Sequence, residues 1–96
     1  MTDKARLIEV AREISAILKN HGQVDFATKI DGQIQTLADP SISEETLVEV
    51  KSRLRGSIHG MGGLLDLWLA APTHAESVQA REDLDALCDD LSELTR

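Results

Sequence analysis

Apolar residues recur at intervals of three and four along almost the whole chain and nowhere alternate at every second position. That spacing gathers side chains on one face of an α-helix, whereas a half-buried strand needs a period of two. Leu7, Val10, Ala11, Ile14, Ile17 and Leu18 make one such stripe in a helix over about 4–20, with Asp3 as its N-cap and Asn20-His21-Gly22 as its stop. A second helix, 25–38, carries Phe26, Ile30, Ile34 and Leu37, has Gly32 on its opposite face, and ends before Pro40. The third, 44–59, takes Ser43 as N-cap with Ile42 and Leu47 as a hydrophobic staple. Its stripe is Leu47, Val50, Leu54 and Ile58, and Lys51, Arg53 and Arg55 suit its negative end. Residues 64–71 read as a short helix, because Leu64, Leu67 and Trp68 form an i, i+3, i+4 set closed by Pro72. Thr73-His74-Ala75-Glu76 is a capping box opening a last helix, 74–94, with Val78, Leu84, Leu87, Cys88, Leu91 and Leu94 inward. The fold expected is an all-α compact bundle of four to five helices.

At 96 residues the chain is expected to be one domain. Its 42% hydrophobic content comes in short pieces, far from the ~20 consecutive apolar residues of a membrane span. The opening MTDKARLIEVAREIS mixes charged and apolar residues, unlike a signal peptide, so a cytoplasmic location is expected. A lone cysteine, Cys88, excludes an internal disulfide and a multi-cysteine zinc site, and its apolar spacing marks it as a small buried residue. Seventeen acidic side chains against ten basic give a net charge of −7. From Thr73 onward there are seven carboxylates and two arginines. Such a field repels phosphate and anionic lipid, which argues against nucleic acid and membrane as partners and suits a basic protein.

One stretch departs from the amphipathic pattern. RLRGSIHGMGGLLDLWLA, residues 53–70, holds four of the six glycines around His59 and Met61, followed by Asp66 in an apolar run. His59 and Asp66 have side chains suited to acid–base work, as have His21 and His74, but no metal-ligand pair, H-E-x-x-H or nucleophile elbow accompanies them. His21 and His74 are explained by their places at helix ends. The GMGG sequence lacks the Lys-Ser/Thr of a phosphate-binding P-loop and the preceding strand of a dinucleotide site, so no cofactor and no metal is expected. A structural reading covers more. Gly56 and Gly60, four apart, would admit a close helix, and Gly62 or Gly63 would permit positive φ at a corner. With Gly63 as N-cap, Asp66 falls at N3, where a carboxylate favours a helix start. Met61 suits the irregular gap beneath such a corner. Trp68, the sole tryptophan, is expected first as a core anchor; if the segment is exposed, LLDLWLAAP becomes the dimer or partner surface.

The order of these features, a helix ending in His-Gly, a helix opening on an aromatic and a helix running into IHGMGGLLDL, resembles a family of small bacterial proteins of unknown function. That family's signature is roughly F-G-G-M-G-S-hydrophobic-N-D-hydrophobic. Gly60, Met61, Gly62, Leu64, Asp66 and Leu67 match it, while Ile58, His59, Gly63 and Leu65 replace its Phe, Gly, Ser and Asn. The resemblance spans about residues 5–70 and implies a fold but no catalytic residues. If the family's Ser and Asn bind something, this chain has lost both; if they cap the corner, Gly63 takes their place.

The sequence therefore favours a non-enzymatic protein-interaction module, an adaptor or an immunity- or antitoxin-like neutraliser of a basic partner. The rival is a small-ligand-binding or hydrolytic protein built on the Gly60–Asp66 corner, and a homodimeric module is a third option. The candidate ligand or partner contacts are His59, Gly60, Gly62, Gly63, Asp66 and Trp68.

Overall fold

The computed structural model describes residues 2–59, 63, 64 and 67–96, with side chains at all of these except 2, 3 and 59. Four helices account for most of them: α1 (Thr2–Asn20), α2 (Val24–Ala38), α3 (Glu44–His59) and α4 (His74–Leu94). Because α1 begins at Thr2, Asp3 lies inside the helix rather than at its cap. The other starts follow local chemistry. Ser43 Oγ accepts the Thr46 amide at 3.1 Å while Ile42 and Leu47 pack against the core. Thr73 Oγ1 accepts the Glu76 amide at 3.2 Å, which is the forward half of the expected capping box. Asp39, ahead of Pro40, is extended at ψ 119° and ends α2. Gly22 turns the chain out of α1 at φ +83°, a region that penalises any side chain.

α1 packs on α2 and α4, and α3 packs on the same two, so the four helices close a ring with α1 and α3 on a diagonal. Cross-contacts set the directions. Lys4 reaches the Asp39 carbonyl and Ser15 reaches Asp31, so α1 and α2 run antiparallel. Arg6 meets Asp90 near one end of α4, and Arg55 of α3 meets Ser92. Arg6 near the start of α1 and Asp90 near the end of α4 make that pair antiparallel as well. The α1–α2 turn and the α3–α4 connection lie together, since His21 and Ala70 bond each other.

The core consists mainly of the expected stripes: Leu7, Val10, Ile14 and Leu18 with Ile30, Ile34 and Leu37, then Val50, Leu54 and Ile58 with Leu84, Cys88 and Leu91. Each fully buried Leu or Ile contributes about 1.5–3 kcal/mol. Among the described residues, no helix is long and apolar enough to cross a membrane.

Three further expectations need correction. Gly56 makes no close approach, since a methyl group there would meet nothing within 4 Å. Val78 is 43% exposed rather than inward. Of the segment expected as a helix over 64–71, Leu64 is in a 3-10 turn and residues 67–71 run without helical bonding, while 65 and 66 lie outside the described residues. A helix of eight residues closes only about four internal bonds against a costly nucleus. The segment's carbonyls find other donors on the bundle, and Pro72 holds Ala71 out of the helical region.

Candidate functional site

The described part of the α3–α4 connection crosses the end of the bundle as a strap, held by side chains of the α1–α2 turn and of α4. The α1–α2 turn supplies two of them. The His21 Nδ1–H donates to the Ala70 carbonyl at 2.7 Å, and the Ala70 N–H returns a bond to the His21 carbonyl at 2.9 Å. Gln23 Nε2 donates to the Trp68 carbonyl at 2.7 Å. From α4, Ser77 Oγ donates to the Leu69 carbonyl at 3.2 Å. Arg81 spreads its guanidinium over two more carbonyls, Leu67 at 2.9 Å and Leu64 at 3.0 Å, while Asp85 balances its charge at 2.7 Å. Buried backbone carbonyls must be paired somewhere, and here side chains replace the missing ladder of a helix or sheet.

This tethering decides where the side chains go. Leu69 is buried in the end of the core together with Leu64, whereas Trp68 is turned outward and is 75% exposed. The core-anchor expectation for Trp68 is thus overturned, because it depended on a helical phase that the strap does not have. The indole stands beside a shallow hollow of about 240 Å³ whose wall includes Leu67, Val78, Arg81 and Glu82. Val78 and Trp68, both exposed, line this hollow together. Arg81 is fully engaged in holding the strap, so the polar edge of the hollow belongs to Glu82.

Of the other candidates, Gly63 is described and is buried. Gly60, Gly62 and Asp66 lie outside the described residues, as do Met61 and Leu65, so the corner proposed to begin at Gly63 with Asp66 at N3 lies there too. His59 closes α3, and its side chain is likewise outside them. His74 is the exposed first residue of α4. The His21 ring reaches the strap rather than the end of its own helix. Sequence reasoning missed Gln23, Ser77 and Arg81 as clamps. The available signal was the length of the 60–73 connection, well beyond the usual 2–8 residues between bundle helices, whose carbonyls had to be satisfied by flanking donors.

Two further polar features lie away from the strap. Lys19 and Ser15 both bond Asp31, at 2.8 and 2.6 Å, and hold its carboxyl below the usual carboxylate range. Cys88 is buried among apolar side chains, as expected, and that burial pushes its thiol up to about 11.

No protein family, curated protein or solved structure matches the chain.

Proposed function

We propose that this chain is a non-enzymatic protein-interaction module, of adaptor or neutraliser type, whose contact surface centres on Trp68. The observation that carries the reading is an exposed sole tryptophan on a strap whose flanking carbonyls are all tied down. Tryptophan is the residue most enriched among binding hot spots, and its two side-chain torsions make it inexpensive to order. A preorganised strap removes much of the ordering cost that a flexible loop would incur on binding. Val78 and the adjoining hollow extend the apolar contact, and an acidic surround favours a partner of opposite charge.

The test is capture from the extract of the native cell by the full chain, alongside its Trp68→Ala variant. The wild type should recover a specific partner at low salt, progressively less as salt rises, and the folded variant should lose it. Recovery of nothing at low salt, or of the same partner by both chains, contradicts the reading.

A further inference from the structure

Away from the strap, Glu13, Ala16 and Ile17 of α1 face Asp83, Ala86 and Leu87 of α4 across an open groove of about 470 Å³. Its floor is apolar, since Ile17 and Leu87 are only half-covered where they pack on the core. Ala16 and Ala86 keep its walls low, so another backbone can come close. Its rim is acidic. Glu13 and Asp83 are exposed, and among the described residues no cationic side chain lines the groove. Arg6, farther along α1, is already paired with Glu9 at 3.1 Å and Asp90 at 3.4 Å. Asp83 accepts a bond from Gln79 at 2.9 Å, which leaves its charge uncompensated.

We propose that this groove docks a basic amphipathic helix from a partner protein. Apolar side chains would seat between Ile17 and Leu87, and flanking lysines or arginines would meet Glu13 and Asp83. The argument for this occupant is charge. α4 carries seven carboxylates against one arginine, so the field over the groove attracts a cationic segment. A second copy would bring a net −7 against the same charge, which opposes self-docking. Two antiparallel helices with small residues in their cleft form the surface that helix-in-groove recognition uses, read by apolar anchors at i, i+3 or i+4, and i+7. The inference rests on the interaction-module reading but not on Trp68, which stands on the strap beside a hollow lined by other residues of α4.

A synthetic helical peptide of about five turns (~18 residues) serves as the probe, with leucines at i, i+3, i+4 and i+7 and lysines elsewhere. A control peptide carries glutamates in place of the lysines. The full chain is titrated with each while side-chain methyl resonances are followed by NMR. The lysine peptide should shift Ala16, Ile17, Ala86 and Leu87 saturably, with affinity falling as salt rises, and the glutamate peptide should not bind. Glu13→Lys/Asp83→Lys, two exchanges at exposed positions with folding checked by circular dichroism, should weaken binding by about tenfold or more. Trp68→Ala should bind the peptide as the wild type does. Shifts that avoid the groove methyls, or equal affinity in the double variant, would overturn the proposal. Loss of binding in Trp68→Ala would assign the contact to the strap and overturn the groove alone. Concentration-dependent shifts of the same methyls without peptide would make a second copy the occupant and overturn the basic-helix assignment.

Discussion

A methyl group added at Gly32 or Gly56 would meet no atom within 4 Å, and both residues sit in helices without positive φ. Gly32→Ala and Gly56→Ala should therefore each stabilise by up to about 1 kcal/mol, through helix propensity and a less disordered unfolded chain. In a domain of this size that is a rise of roughly 4–8 °C per kcal/mol in thermal melts. Gly22→Ala should go the other way, by about 1–2 kcal/mol, because φ +83° strains any residue with a Cβ, even though the added methyl would only touch Ala70 at 3.4 Å. The Asp31 carboxyl, held low by Lys19 and Ser15, adds stability that is fully present above the unfolded carboxylate pKa. That stability is lost as pH falls through the lower folded value. Asp31→Asn should accordingly lower the melting temperature near neutrality and narrow its gap to the wild type in acid. Cys88, with its thiol raised to about 11, should resist a thiol reagent at about pH 8 until denaturant opens the bundle. Fast labelling of the native chain would contradict its burial.

At the scale of elements, the helices and the strap obey different rules. A helix is specified by neighbours three and four residues away, and its ends by caps a few residues off, so α2, α3 and α4 could be read from Ser43, Thr73, Pro40 and the apolar stripes. The strap is specified at a distance. Ala70 is fixed by His21, 49 residues earlier, and Leu64 by Arg81, 17 residues later. Arg81 itself looks like an ordinary surface residue with Asp85 one turn away, and nothing in its local sequence says that it reaches across to carbonyls. The helical phase drawn through Leu64, Leu67 and Trp68 failed for this reason, and with it the placement of Trp68 in the core. Arg81→Ala should cost about 2–3 kcal/mol, since it strands two carbonyls at once. Arg53→Ala, which loses only an exposed pair with Glu49, should stay within about 0.5 kcal/mol. Hydrogen exchange at the Ala70 amide should quicken in the first variant and not in the second.

Across the whole molecule, apolar burial and surface charge are divided between separate regions. Among the described residues, the ring of four helices encloses a core of aliphatic side chains and Cys88, with Phe26 half-buried against it and Trp68 exposed. Negative charge concentrates on α4, whose two flanks carry the Trp68 hollow and the α1–α4 groove. The reading of the chain as an interaction module depends above all on the tryptophan being displayed and not structural. Thermal unfolding of Trp68→Ala decides that directly. A displayed indole should cost under about 1 kcal/mol on removal, like other surface substitutions. A drop of about 3–5 kcal/mol, the cost of deleting a buried tryptophan, would place Trp68 in the core and contradict the account.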